Sequence, residues 1–261
     1  MLKFCSLFSS SDGNSLFIKS DSSSILIDAG VSTSKIVNAL SSIGENINNI
    51  NAILITHEHS DHIKGLSVLS KKYNIPVFAN KETWNFLPKD KIIEENQKQF
   101  NMYKEFKIGD LNILPFEIPH DAINPSGFNI SVGNSKISVA TDLGHVTQEI
   151  FNLLKNSKFI MLESNYDPEV LKCSSYPYKL KTRIAGPNGH LSNNTAGKVI
   201  SRLVNNGLKS VMLGHLSKET NFPELAMRTV IEELQSCNIS HDAINLNIAT
   251  RICPSTIINI A

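Results

Sequence analysis

The sequence predicts a single α/β domain with a metal-binding edge, and three observations lead there. Short apolar runs suited to strands alternate with helical periodicities along all 261 residues, with no linker, low-complexity tract or long-period repeat. Polar residues of catalytic type (Asp28, His57, His120, Asp142, Glu163 and His215) each lie at or just past the C-terminal end of an apolar run, where loops leave a rigid sheet and sites gather. The run Thr56-His57-Glu58-His59-Ser60-Asp61-His62 then crowds three imidazoles and an aspartate against the end of one such strand. Such a knot of polar groups is unfavourable unless something pairs with it. Imidazole and carboxylate together suit zinc, manganese or iron.

In chain order, Leu2 to Phe8 reads as a strand and Ser9 to Asn14 as a tight turn, with Gly13 and Asn14 as the residues that tolerate positive φ. Ser15 to Ser20 and Ser24 to Asp28 are further short strands. Ser32 is the expected N-cap of a helix whose apolar positions are Ile36, Val37, Leu40 and Ile43. Ile50 to Ile55 is the strand feeding the histidine motif, Gly65 to Tyr73 is helical, Pro76 to Ala79 is extended and Lys81 to Leu87 is a short helix. Gly109-Asp110 and Gly133-Asn134 are hairpin signals inside Phe106 to Ile118 and between Phe128 to Val132 and Ile137 to Ala140. Val146 to Leu154 is an amphipathic helix and Phe159 to Leu162 an apolar strand. The breakers Pro177, Gly186, Pro187 and Gly189 make Lys172 to His190 irregular. Asn194 to Val204 is a helix, Ser210 to Leu213 a strand, Pro223 to Gln235 a helix with proline near its first position, and strands including Ala243 to Ile248 close the chain.

Composition narrows the function classes. A hydrophobic fraction of 41% supports a substantial core, and a net charge of +1 from 25 basic and 24 acidic residues carries no global nucleic-acid signal. Any basic surface must be local, and Lys172 to Arg183 is such a run, with Lys172, Lys179, Lys181 and Arg183 and no acid. Cys5, Cys173, Cys237 and Cys253 have no paired spacing, so neither a zinc ribbon nor a disulfide scaffold is expected. We expect them reduced and mostly buried. The first residues do not form a signal peptide and no apolar stretch spans a bilayer, so the expected location is the cytoplasm.

His57 and His59 are two apart, and an extended backbone points both to one side. Asp61 and His62 follow the turn and can face a second centre. His120, Asp142 and His215 raise the donors to seven, enough for two metals with a bridging carboxylate and a position left for water.

The pattern His57-x-His59-x-Asp61-His62, followed by Gly65, resembles the signature of the metallo-β-lactamase superfamily. Asp28, His120, Asp142 and His215 fall where that superfamily has its other motifs. The resemblance implies a four-layer αββα sandwich, two mixed sheets flanked by helices, with the metals at one edge. Over nearly the whole chain the sequence is similar to the YycJ (WalJ) family. The residues that carry this are Gly13-Asn14, Pro119-His120-Asp121-Ala122, Thr141-Asp142-Leu143-Gly144, Leu162-Glu163-Ser164-Asn165, Tyr176-Pro177 with Leu180-Lys181 and Arg183-Ile184, Gly189-His190-Leu191-Ser192-Asn193 and Leu213-Gly214-His215. That family implies a metal-dependent 5′-to-3′ DNA exonuclease associated with mismatch repair. His190 with Thr195-Ala196 also resembles a histidine motif of the tRNA 3′-processing branch. Tyr166 stands where the family more often has histidine, and Ser10 where it has glycine.

The expected chemistry uses two divalent metal ions, zinc first, with manganese or iron as alternatives. His57, His59 and His120 hold one, Asp61, His62 and His215 the other, and Asp142 bridges. Activated hydroxide attacks phosphorus, and Asp61 can also accept its proton. Asp28 orients a ligand histidine or the motif loop, and Glu163 either does similar work or lies on the surface. His190, in a glycine-flanked loop, is expected as a non-ligand that gives a proton to the leaving alkoxide or stabilises phosphate charge. Lys179, Lys181, Arg183 and Asn193 are candidate substrate contacts along a nucleic-acid backbone, with Ser11 and Asn14 as further donors. His145 and His241 are ordinary polar residues. Two alternatives stand beside this: a thioester or lactone hydrolase with the same two metals, and a non-catalytic nucleic-acid-binding module with a structural metal.

Overall fold

In the computed structural model, which describes residues 1–260, chain contacts define two compact units. One comprises residues 1–117, 122–135 and the stretch from 250 onward; the other comprises residues 118–121 and 136–249.

The first unit is built on a seven-stranded sheet. Its strands are β1 (Leu2–Ser10), β2 (Gly13–Lys19), β3 (Ser24–Ile27), β4 (Ala52–Leu54), β5 (Val77–Asn80), β6 (Gln97–Phe100) and, at the other edge, the last strand of the chain, β14 (Ile258–Ile260). The order is β14-β1-β2-β3-β4-β5-β6, antiparallel as far as β3 and parallel from β3 to β6. Helices α1 (Thr33–Ser42) and α3 (Leu66–Tyr73) cover one face, through Ile36, Leu40, Leu66 and Leu69 packed with Leu7, Phe17, Leu26 and Ile53. The α2 turn (Ser60–Ile63) and α4 (Lys81–Trp84) are single-turn elements of this unit. An antiparallel meander of β7 (Phe106–Ile108), β8 (Leu111–Glu117) and β9 (Ser126–Val132) completes it. Phe106 joins meander to sheet, stacking on Phe78 and Phe100 with centroids 5.4 and 5.7 Å away.

The second unit is a parallel sheet of β10 (Ser135–Ala140), β11 (Phe159–Glu163), β12 (Ser210–Gly214) and β13 (Asn245–Ile248), paired in chain order. Parallel neighbours require crossovers. These contain α5 (Gln148–Leu154), then α6 (Pro168–Cys173), α7 (Tyr178–Ile184) and α8 (Asn193–Val204), then α9 (Pro223–Ser236). Side-chain caps start three of the helices: Thr147 accepts from Ile150 N–H, Asp167 from Glu169 and Val170, and Ser192 from Thr195. Gly197 lets α8 lie close to α9, since a Cβ there would be 2.7 Å from that of Glu233.

Several expectations need correction. Gly13 and Asn14 are not turn residues; they open β2, paired with Ser10 and Ser9. Gly13 is required for space, because a Cβ would meet Val31 Cγ1 at 2.3 Å and the Gly30 carbonyl oxygen at 2.8 Å. Ser32 occupies the N-cap of α1 without a side-chain cap bond. The stretch from Lys172 to His190 is largely helical, with α7 fitted between the breakers, and β6 and the α2 turn were not anticipated. All four cysteines are free thiols, yet only Cys5 is buried. Cys173 closes α6, Cys237 caps α9 and Cys253 lies near the C-terminus, and such surface positions leave a side chain in water. No helix among the described residues is long and apolar enough to cross a membrane.

Candidate metal centre

Strand register decides which side chains meet. In the first unit β3 and β4 are parallel with Ile27 opposite Leu54, so Asp28 and Thr56 leave the sheet side by side. Asp28 N–H donates to the Leu54 carbonyl at 2.8 Å, and the residue then turns left-handed, with φ 62°. Its buried carboxylate takes Thr56 N–H at 2.9 Å on Oδ1, and on Oδ2 both the Thr56 hydroxyl at 2.8 Å and His62 Nδ1 at 2.7 Å. Burial pushes the Asp28 carboxyl above its ordinary range, with His62 pulling it back.

These contacts assign protons. With its carboxylate ionised, Asp28 only accepts, so in that state Thr56 Oγ1 and His62 Nδ1 both donate to it. The single Thr56 proton being used, its oxygen accepts from His57 Nδ1, 3.0 Å away. His57 and His62 are therefore both protonated at Nδ1, which leaves Nε2 of each with a lone pair. The 3.0 Å between His57 Nε2 and His59 Nδ1 falls within the about 2.9–3.4 Å expected for two imidazole nitrogens that each lie about 2.0–2.1 Å from one metal. Asp61 Oδ2 is 3.5 Å from His62 Nε2. Asn14, gripped by Ser10 on both amide atoms, directs Nδ2 at Asp61 Oδ2 and His62 Nε2 at 3.3 and 3.1 Å. The motif loop is held from behind: Ala29 N–H donates to the His62 carbonyl and Gly65 N–H to the Ala29 carbonyl, both at 2.8 Å.

In the second unit the ends of β10, β11 and β12 align, with Ala140 opposite Leu162 and Glu163 opposite Gly214. Asp142, Glu163 and His215 consequently gather at one edge. Asp142 and His215 are left-handed, with φ 58° and 55°. Glu163 is fully buried at the centre. Its Oε1 accepts from Nδ1 of His190 at 2.8 Å and of His215 at 2.7 Å, and its Oε2 from Leu143 and Leu191 N–H at 3.0 Å each. Burial works against its charge, but the two imidazoles outweigh that and hold the carboxyl well below the usual range. His190 is likewise opposed by burial and then raised, to about 9, chiefly by Glu163. His120 donates Nδ1–H to the Gly189 carbonyl at 3.2 Å, and burial lowers its pKa despite Asp142. A neutral imidazole is the form a metal needs; His120 Nε2 lies 3.3 Å from Asp121 Oδ1. Ligand atoms of Asp142, Glu163, His190 and His215 lie within 4.8 Å of one another, with both Glu163 oxygens already accepting hydrogen bonds.

The expected site residues thus fall into place unequally. Asp28, His57, His59, Asp61 and His62 converge in the first unit, and His120, Asp142, His190 and His215 in the second. Glu163, left open between support and surface, is a buried support for both His190 and His215. Lys179, Lys181 and Arg183 lie on exposed α7. Lys181 Nζ is tied to the Lys172 carbonyl at 2.7 Å and Arg183 forms an ion pair with Asp121. Asn193 does not reach a surface: it is fully buried, accepting from Ser164 Oγ at 2.6 Å and exchanging amide bonds with Asn221. An amide committed inside the protein has nothing to offer a phosphate. Ser11 is exposed, and exposed His145 donates Nδ1–H to the Pro187 carbonyl at 2.9 Å. Sequence reasoning missed Thr56, whose only signal was a hydroxyl immediately before the histidine motif.

Comparison with known proteins identifies the family. Residues 23–215 match the model of the Beta-lactamase superfamily domain. The chain is 36% identical over 241 residues to the exodeoxyribonuclease WalJ of Streptococcus pneumoniae, covering 91% of this chain and 90% of the relative. It is 37% identical over 237 residues to the exodeoxyribonuclease YycJ of Bacillus anthracis, covering 90% and 89%. Its fold is similar to that of the metallo-β-lactamase fold protein YhfI from Bacillus subtilis, with a TM-score of 0.73 at 14% identity over 97% of this chain and 98% of that one. The fold is the metallo-β-lactamase type, with two mixed sheets flanked by helices. The chain belongs to the metallo-β-lactamase superfamily, and within it to the WalJ/YycJ family.

Proposed function

We propose that this metal-dependent hydrolase is a phosphodiesterase that degrades DNA from an end, as a single catalytic domain. The observation that carries the reading is identity of 36% and 37% over about nine-tenths of the chain with proteins named as exodeoxyribonucleases. The donor chemistry described above supports two divalent cations. The residues that would hold them, as read from the sequence motifs, are His57, His59, Asp61, His62, His120, Asp142 and His215. Bound there, such ions supply an acidified water and polarise a phosphoryl oxygen. Zinc, manganese and iron all suit this donor set.

The chain's own residues do the rest. Asp28 and Thr56 hold His57 and His62 with Nε2 outward, and Glu163 does so for His215. Asp61 offers a carboxylate oxygen that can take the proton of an attacking water. His190 gives its Nδ1–H to Glu163, which leaves Nε2 as the atom that carries a proton toward a leaving alkoxide. The substrate is a nucleic acid, the place of action the cytoplasm, and the direction 5′ to 3′.

The test is turnover of end-labelled linear DNA and of bis-(p-nitrophenyl)phosphate, against a thioester, by protein loaded in turn with zinc, manganese and iron. Phosphodiester cleavage that spares circular DNA supports the reading. Thioester turnover without phosphodiester cleavage under any of the metals refutes it.

A further inference from the structure

Within the second unit, α6 and α7 flank a pocket of about 410 Å³, inside the range of ligand sites. Its floor is apolar, with Tyr166 and Leu171 buried; its rim carries Tyr178, 84% exposed, and the amines of Lys172 and Lys181. Between residues 170 and 190 there is no acid. Of the nearby carboxylates, Asp167 caps α6 and Asp121 pairs with Arg183, while Glu169 lies 3.8 Å from the rim amine of Lys172 on the surface, which leaves Lys181 as the rim cation without a carboxylate partner among the described residues. An exposed aromatic ring beside an apolar floor, ringed by cations, offers stacking and phosphate attraction together.

The far end of α7 is fastened to the chemistry. His190 N–H donates to the Ile184 carbonyl at 2.9 Å, and Arg183 pairs with Asp121, the neighbour of His120. Gly189 permits this close seat, since a Cβ would stand 2.2 Å from the carbonyl oxygens of both Arg183 and Ile184. From Tyr178 to Ile184 the helix rises about 9 Å, which is about three nucleotides at about 3.4 Å of rise per stacked base.

We propose that this pocket seats one unpaired base of a single nucleic-acid strand, stacked on Tyr178, about three nucleotides from the bond that is cut. Lys179 and Lys181 then lie along the intervening phosphates. The inference rests on the phosphodiesterase reading and adds to it a subsite that recognises the face of a base.

It is tested by fluorescence anisotropy of the metal-loaded protein with a phosphorothioate-linked single strand carrying one abasic nucleotide, moved stepwise from the end. The expected result is a loss of about tenfold in affinity confined to an abasic position two to four nucleotides in. Tyr178→Ala weakens the intact strand by the same factor and no longer senses the abasic position; Tyr178→Trp keeps the wild-type pattern. Equal weakening at every position, no binding of the strand, or Tyr178→Ala that still senses the abasic position overturns the proposal. The walk on wild-type protein stands whether or not a variant folds. A wild-type protein that shows the positional dependence yet cleaves no unmodified strand defeats the nuclease reading and leaves the subsite intact.

Discussion

Glu163→Gln isolates the most consequential carboxylate in the second unit. The native side chain is fully buried and accepts four hydrogen bonds, two on Oε1 from His190 and His215 at 2.8 and 2.7 Å and two on Oε2 from Leu143 and Leu191 N–H at 3.0 Å. Glutamine has the same shape but one oxygen. In either flip its amide nitrogen faces two donors, the imidazoles or the backbone pair. A buried donor left without an acceptor costs about 1–3 kcal/mol, so two cost about 2–6 kcal/mol. That is a large part of the about 5–15 kcal/mol that holds a domain together. At about 2–4 °C per kcal/mol for a chain of this size, Tm falls by roughly 5–20 °C. His215 also loses the partner that sets its tautomer, and metal affinity drops by about 10- to 100-fold. Thermal unfolding and metal titration of the same preparation measure both effects, with exposed Glu224→Gln at the start of α9 as baseline. A Glu163→Gln protein within about 0.5 kcal/mol of wild type that binds metal as wild type does would refute the assignment of Glu163 as the support of His190 and His215.

Further outcomes follow from the same contacts. Asp28→Asn keeps a residue that tolerates the left-handed backbone at φ 62°, but its amide nitrogen faces either Thr56 N–H or the pair of donors, the Thr56 hydroxyl and His62 Nδ1, that share Oδ2; equilibrium dialysis should find metal affinity down about 10- to 100-fold with circular dichroism unchanged. Gly30→Ala would set a Cβ 1.6 Å from the Asp61 carbonyl oxygen and 2.5 Å from Asn14 N, and chemical denaturation should show a loss of at least about 3 kcal/mol. Removing metal with a chelator, from free metal at about a thousandfold over Kd, should lower stability by about 4 kcal/mol in a thermal scan; an unchanged Tm argues against resident metals. Lys179→Gln on exposed α7 should reduce by about one the slope of log affinity for single-stranded DNA against log salt, and an unchanged slope removes that phosphate contact.

What was legible in the sequence follows from what the chemistry repeats. Strands end where apolar runs stop, and the residue just past each stop was visible: Asp28, His57, Asp142, Glu163 and His215 all sit there in the structure. The pairing that makes them a site was less visible, because it depends on register. Nothing in the linear order says that Ile27 pairs with Leu54, or Glu163 with Gly214, and those pairings put Asp28 on Thr56 and Glu163 on His215. Helix α7 was hidden for a local reason. Pro177 and Gly186 bracket a segment of 7 residues, too short for an apolar periodicity, and its lysines read as loop charge. Asn193 misled for the converse reason: a polar residue in a loop motif reads as exposed, whereas its amide is satisfied by Ser164 and Asn221.

The backbone itself argues for a site that was selected at the expense of stability. Asp28, Asp142 and His215 follow three different strands, and each adopts a left-handed conformation, with φ between 55° and 62°. A non-glycine residue held there costs about 1–3 kcal/mol, and glycine would remove that strain. Glycine would also remove the side chain, and these side chains are the ones the neighbouring groups are built around. Asp28 is clamped by Thr56 and His62, and His215 by Glu163 and by Asn165, whose Nδ2 donates to the His215 carbonyl at 2.7 Å. Aspartate and histidine, with asparagine, are the non-glycine residues that tolerate this region best. A functional carboxylate or imidazole can therefore stand at such a turn, where a β-branched residue could not. The strain and the polar clamps share the same strand ends because the clamps hold the strained residues in place, and the strained turns deliver the clamped side chains to the edge of the sheet.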